Sequence, residues 1–188
     1  MSEKDIAFRF QLRHYEGMTI RSRRLTIRPL GEDDWESLRQ VWLDTSRSPY
    51  ACYNIPHDTD EVEVRNEARL WERENQEGKE LHLAILREGV MIGYLYCGTL
   101  PNGWEIGYDL EKQWQHQGYG REAVSALMTE LSHRGGGRLV AYAALKNRPS
   151  IRLLEDLGFQ KHGEEELSFQ KGMTFTVGMF TRYLMKRG

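Results

Sequence analysis

Between Leu81 and Leu110 the chain carries three short apolar or alternating runs, Leu81 to Leu86, Val90 to Gly98 and Trp104 to Leu110, separated only by Arg87-Glu88-Gly89 and Pro101-Asn102-Gly103. Three-residue connections cannot return a chain to the start of a parallel neighbour, which needs a crossover of about a dozen residues or more. The runs are therefore expected to form an antiparallel meander, turned by glycine and proline. This excludes a wholly parallel sheet and sets the middle of any fold the chain adopts.

Upstream, Thr19-Ile20-Arg21 and Leu25-Thr26-Ile27-Arg28-Pro29-Leu30 alternate as strand material. Trp35, Leu38 and Val41/Trp42 then recur at helical spacing behind Glu32, Asp33 and Asp34, acids that suit the positive end of a helix. Thr45 to Thr59, with Pro49, Tyr50, Tyr53 and Pro56, has no period and reads as a loop. A second helix over Glu61 to Asn75 puts Val64, Ala68 and Trp71 on one face.

Downstream, Tyr119 to His133 reads as a helix with Ala123, Val124, Leu127, Met128 and Leu131 inward, stopped by Gly135-Gly136-Gly137. Leu139 to Leu145 returns to the sheet, and Asn147-Arg148-Pro149-Ser150 opens a last helix ending at Gly158. Gln160 to Phe169 and Met173 to Leu184 make a closing hairpin through Lys171-Gly172. The expected class is α+β in three layers, a mixed, mostly antiparallel central sheet flanked by helices. Residues 19–188 read as one domain, and residues 1–18, without clear period, as an N-terminal extension.

A chain of 188 residues buries enough apolar surface to fold without disulfides or structural metal. Cys52 and Cys97 stand far apart with no Cys or His at ligand spacing, so neither a disulfide framework nor a metal site is expected. A formal charge of −2 supplies no basic excess to draw the protein onto phosphate backbones or anionic lipid, so neither nucleic acid nor membrane is an expected partner. The start, Met1-Ser2-Glu3-Lys4-Asp5, is not of signal-peptide type, and no run approaches the ~20 apolar residues of a membrane span, so a cytoplasmic protein is expected.

Gln115-His116-Gln117-Gly118-Tyr119-Gly120 leads into the helix predicted from Tyr119. A helix N-terminus offers unpaired N–H groups and the positive end of the macrodipole, and glycines there let a phosphate approach the backbone. By themselves the glycines equally serve to turn a strand into a helix. Gly118-Tyr119-Gly120-Arg121-Glu122-Ala123 also fits the dinucleotide pattern G-x-G-x-x-A. The strand before such a loop is a buried parallel one and almost wholly apolar, whereas Trp104 to Leu110 alternates and ends a meander.

Gln115-x-x-Gly118-x-Gly120 resembles the Q/R-x-x-G-x-G/A signature of the GNAT acetyltransferase superfamily. Asn147 to Phe159, an N-x-x-[SA] helix ending in Leu157-Gly158-Phe159, resembles its second signature. Leu25 to Leu30 and Glu105-Ile106-Gly107-Tyr108 look most like the branch that includes ribosomal-protein N-terminal and spermidine acetyltransferases, and the resemblance covers about Thr19 to Leu184. It implies the acyl-CoA N-acyltransferase (GNAT) fold and transfer of the acetyl group of acetyl-CoA to a primary amine by direct attack in a ternary complex. The expected acceptor is a protein N-terminus, a polyamine or a small-molecule amine, and the expected state a monomer or homodimer that uses no metal. It implies that backbone groups of Tyr108, Asp109 and Leu110 pair with the pantetheine amides. Amides of Gln115, His116, Gln117, Gly118, Tyr119, Gly120 and Arg121 would take the pyrophosphate, and Asn147 and Ser150 would face the pantetheine arm. A bulge between Trp104 and Leu110, usual in the family, would splay that strand from the Leu139 strand.

An aliphatic ammonium of pKa about 10.4 must lose a proton before it attacks. Glu105 matches a carboxylate that is the base in some relatives, and a solvated strand glutamate is the plain alternative. Many members place a proton-donating tyrosine where this chain has Leu154, and Ser150 is the substitute donor, or else a first-turn serine bonding helix N–H groups. Tyr108 is a further donor, and His116 is expected to act through its backbone. Arg121, Lys146, Arg148 and Arg152 stand near the expected phosphates and are equally surface charges, while Tyr50, Tyr53 and Trp71 either shape the acceptor pocket or pack a core. The missing tyrosine leaves one other function, a catalytically degenerate acyl-CoA-binding sensor.

Overall fold

The computed structural model describes residues 18–51, 56–168 and 174–187. Residues 1–17 of the expected extension, Cys52, Tyr53 and the Lys171-Gly172 turn lie outside them. The strands are β1 (Ile20–Arg21), β2 (Thr26–Pro29), β3 (Glu80–Arg87), β4 (Val90–Leu100), β5 (Gly103–Leu110), β6 (Gly137–Ala144), β7 (Gln160–Ser168) and β8 (Thr174–Leu184). The helices are α1 (Trp35–Ser46), α2 (Glu61–Glu77), α3 (Tyr119–His133) and α4 (Arg148–Asp156). One sheet runs in the order β1-β2-β3-β4-β5-β6-β8-β7, and every neighbouring pair is antiparallel except β5 with β6.

The meander forms as its spacing demands. Glu88 and Gly89 between β3 and β4 both take positive φ, 52° and 85°, the pairing that matches the twist of a two-residue hairpin turn. Alternation then sorts the strands between two helical layers. Leu83, Leu95, Cys97, Trp104, Ile106 and Leu139 pack with Ala123, Leu127 and Leu131 of α3 and Leu154 of α4. On the opposite face Ala84 and Met91 meet Leu38 and Trp42 of α1 and Val64, Ala68 and Trp71 of α2. Cys97 is wholly buried, and burial pushes its thiol up, away from reactivity.

Two helices run past their expected ends for visible reasons. Thr45 and Ser46 are helical rather than looped, with the Thr45 hydroxyl donating to Asp109 Oδ2 on β5 at 2.6 Å. α2 continues to Glu77 because buried Asn75 staples its last turn to β3. The Asn75 amide donates to Leu30 O and His82 O at 3.1 and 2.9 Å, and its oxygen accepts from His82 N at 2.8 Å.

The parallel pair is short: Gly103, Trp104 and Glu105 oppose Arg138, Leu139 and Val140, and there the pairing ends. Beyond it β5 stays with β4 as far as Leu110↔Gly93, while β6 stays with β8 as far as Ala144↔Val177. The sheet therefore opens into a V between two strands that share a base. The expected bulge is absent, since the β4–β5 register runs from Gly93↔Leu110 to Leu100↔Gly103 without a shift. Each strand follows its own antiparallel partner, and that divergence makes the gap.

Gly103 sits where the halves join, and a Cβ there would stand 1.7 Å from Arg138 O. Gly103→Ala should destabilise the fold by about 1–3 kcal/mol through overpacking. Gly163→Ala, with nothing within 4 Å of its added carbon, should leave thermal unfolding unchanged. Equal melting temperatures for the two would contradict this account of the join.

Candidate active site

The open end of the V is lined by backbone. Glu111 N–H bonds Ile92 O at 3.0 Å, so by antiparallel alternation the peptide groups of Gly107 and Asp109 serve β4 while those of Ile106, Tyr108 and Leu110 turn toward the gap. Leu110 is already engaged there: its N–H donates to Asp109 Oδ1 at 2.9 Å and its carbonyl accepts from Gln115 Nε2 at 2.8 Å. Of the three residues expected to meet the pantetheine amides, Tyr108 thus presents unpaired backbone to the cleft. Asp109 and Leu110 hold the strand end instead.

The Gln115 contact ties the glycine loop to the end of β5. His116 and Gly118 follow with φ of 59° and 80°, left-handed backbone that glycine adopts without strain and other residues seldom do. Gly118 caps α3, and Glu122 N–H closes the first turn on Gly118 O at 3.0 Å. Among the described residues, the backbone N–H groups of His116, Gln117, Gly118, Tyr119, Gly120 and Arg121 meet no hydrogen-bond acceptor. Gly120 permits the close approach of α4, a Cβ there standing 3.2 Å from Leu153 Cδ1.

Arg24, which no sequence pattern singled out, secures this corner. Its guanidinium donates to Gln117 O at 3.1 Å and Glu122 Oε2 at 2.7 Å and lies 4.2 Å from the Tyr119 ring centre. Ser22 Oγ and Arg24 N also donate to Glu122 Oε1, at 2.8 and 2.7 Å. Burial raises the Glu122 carboxyl, but the Ser22 and Arg24 contacts outweigh it and hold the group below its ordinary value. Of the four expected cations, Arg121 lies 3.9 Å from Asp156 Oδ2, and Lys146, Arg148 and Arg152 are exposed.

Across the V, Asn147 Oδ1 accepts from Ser150 N at 3.3 Å and so caps α4. The cap role considered for Ser150 therefore belongs to Asn147. Ser150 Oγ instead shares a 2.9 Å hydrogen bond with the Tyr108 hydroxyl, which also lies 3.3 Å from Ser150 O. Burial, offset by the Ser150 contact, pushes the Tyr108 phenol up to about 12. Leu154 is wholly buried in the core.

Glu105 projects from the opposite face of β5, partly buried toward the α1–α2 side. Burial first, then the carboxylates of Glu80 and Glu165, raise it above the ordinary glutamate value. Trp71 is core, stacked on His82 at 4.2 Å and edge-on to Trp42 at 5.6 Å, and Tyr50 is partly buried. Glu74, Glu80 and His82 bring three potential ligand atoms within 4.8 Å of one another, a grouping that sequence spacing did not suggest. Burial lowers His82 to about 4, so its 2.9 Å contact with Glu74 is that of a neutral imidazole N–H donating to a carboxylate.

The family model of the acetyltransferase (GNAT) domain matches residues 24–160. The Bacillus licheniformis protein described as "Uncharacterized N-acetyltransferase p20" is 31% identical over 90% of this chain and 97% of its own length. Among solved structures, RimL, the ribosomal L7/L12 alpha-N-protein acetyltransferase, superposes with a TM-score of 0.80 at 24% identity over 89% of this chain and 94% of that one. Its complex with coenzyme A does so at 0.77 and 22% identity, over 90% of this chain and all of the other. At these identities the two structures speak for the fold. No helix of the described residues is long and apolar enough to cross a membrane.

Asp109 gives the site a titration of its own. Burial raises its carboxyl to about 6, against the opposing Thr45 and Leu110 hydrogen bonds, and the unfolded value is about 3.9. A raised folded value means that Asp109 stabilises the fold most below about pH 4 and loses that contribution as pH rises through about 6. Between pH 4 and pH 7, denaturant unfolding should move in favour of Asp109→Asn over the parent by about 2 kcal/mol. A difference that stays flat with pH would refute the shift.

Proposed function

The chain belongs to the acetyltransferase (GNAT) family and is an acyltransferase of the N-acetyltransferase class, and from that premise we propose that it transfers the acetyl group of acetyl-CoA to a primary amine by direct attack in a ternary complex. The observation that carries this reading is the run of six N–H groups from His116 to Arg121, unpaired among the described residues, at the mouth of the V. Together with the α3 dipole they form a site for a pyrophosphate. Tyr108 presents a backbone N–H and C=O along the cleft, where the pantetheine lies beside β5 like an added strand.

Alternation along β5 then divides the chemistry. Glu105 faces the α1–α2 side and Tyr108, with Ser150, the α3–α4 side. The acceptor amine approaches from the first face, and Glu105 takes a proton from its ammonium. The nitrogen lone pair attacks the thioester carbonyl, and the C–S bond breaks as the tetrahedral intermediate collapses. Ser150, hydrogen-bonded to Tyr108, meets the departing sulfur and supplies its proton, and it regains one from the nitrogen, which loses its second proton as it becomes the amide. A carboxyl raised by burial suits the base, because its affinity for protons moves toward the working pH.

The acceptor remains one of three kinds: a protein N-terminus, as the RimL name indicates for that protein, a polyamine, or another small amine. Thiol release from acetyl-CoA, followed across a panel of these, tests the reading. Glu105→Gln should lower kcat by about 100-fold or more and remove the rise of rate with pH, whereas Gly118→Val should mainly raise the acetyl-CoA KM. Tight acetyl-CoA binding with no turnover on any amine would replace the enzyme with a sensor.

A further inference from the structure

The face that carries Glu105 holds an arrangement the reaction above leaves unused. Glu80 on β3, Gly98 on β4 and Glu105 on β5 stand side by side in one row, so both carboxylates leave the same face and flank the glycine. Two strand spacings of about 4.8 Å separate their backbones. Tyr96, two residues before Gly98 on that face, fills the gap. A Cβ on Gly98 would lie 2.3 Å from the Tyr96 hydroxyl and 2.8 Å from its Cζ, so the phenol lies over the glycine, between the two acids.

The surrounding charges fit that placement. Burial, then the charges of Glu80 and Glu105, raise the Tyr96 phenol, in keeping with a hydroxyl set beside both carboxylates. A hydroxyl so placed has one proton to donate toward Glu80 and lone pairs to accept from Glu105. On the far side of Glu80, His82 Nε2 stands 3.8 Å away and bonds Glu74. Tyr142 of β6 and Glu165 of β7 face Glu105 from the other direction, and Arg138 acts on Tyr142. The Glu80 side chain is 42% exposed and opens to water.

We propose that Tyr96 is a proton relay from Glu105 to Glu80, an inference that rests on Glu105 being the base. An amine seated over Glu105 shields that carboxyl from water, so the proton it takes needs another exit. The protonated Glu105 gives its proton to the Tyr96 oxygen as the existing Tyr96 O–H proton passes to Glu80. Glu80 releases it to solvent, and Glu105 returns to the carboxylate form. The phenol accepts and donates together, so no tyrosinate forms. Gly98 belongs to the device because any side chain there would displace the hydroxyl.

Three variants test this: Tyr96→Phe, Glu80→Gln, and Gly98→Ala, which keeps the tyrosine but moves it. Each should lower kcat at least tenfold with the acetyl-CoA KM unchanged, and Tyr96→Phe combined with Gly98→Ala should lose no more than either alone. Rates in mixtures of H2O and D2O should follow a bowed curve in the parent and a straight line in Tyr96→Phe, because one proton in flight has gone. In the resting protein, the carbon-13 resonance of the Glu105 carboxyl should titrate lower in Tyr96→Phe, where the protonated carboxyl has lost an acceptor. Parent-like kcat, isotope curve and Glu105 titration in Tyr96→Phe would overturn the relay. Full turnover in Glu105→Gln would remove the base and the relay together, whereas an inactive Glu105→Gln beside a fully active Tyr96→Phe would remove the relay alone.

Discussion

Among the described residues, three residue pairs, Gly103↔Arg138, Trp104↔Leu139 and Glu105↔Val140, join the two halves of the sheet by backbone. On either side the strands are bound antiparallel over eight or more positions. A parallel pair that stops early exposes peptide groups in the middle of a sheet, where burial without a partner costs about 1–3 kcal/mol per group. The halves hold their geometry because one core runs beneath both. Ile106 and Leu110 of β5 and Leu139 and Ala141 of β6 share that core with α3 and with Leu154 of α4. The open edge is therefore rigidly held and left unpaired, the condition under which an extended amide-bearing ligand replaces water with little reorganisation.

Two acids on β5 show how neighbours divide structure from chemistry. Glu105 and Asp109 leave the same face, and burial raises both carboxyls. Asp109 has its oxygens engaged by Thr45 and by Leu110 N–H, so it fastens α1 to the strand end. Glu105 is set among further acids rather than donors of positive charge. An added proton is welcome at Glu105, since like charges oppose its ionised form, and that is what a base requires.

The parts of the fold governed by local rules were legible in the sequence. The period-two runs and short turns gave the meander, and the run of inward apolar residues gave α3 from Tyr119 to His133 with both ends correct. Asn147 and Gly118 were found because their residue types are prescribed by the termini they occupy. Contacts between distant segments were not legible. Arg24 meets Glu122 across 98 residues, and nothing local to either predicts it. The bulge was expected from family habit, yet the same gap arises from two strands each obeying its own partner. In the sequence Gly98 only ends a strand run, and it takes the register to place it between Glu80 and Glu105.

The Arg24 contact resolves a conflict in the corner proposed for the pyrophosphate. An acid in the first turn of a helix gains from the macrodipole by about 0.3–1 kcal/mol, but it also places negative charge beside N–H groups offered to an anion. Glu122 escapes this by turning to Ser22 and Arg24, which supply three donors to its two oxygens. The Arg24 side chain is 39% exposed, so the ion pair itself adds at most about 1 kcal/mol to stability. Its larger effect is positional. By also holding Gln117 O, Arg24 fixes the turn that leads into α3. The helix keeps its acid, and the acid's charge is drawn to Ser22 and Arg24 rather than to the amides of the first turn.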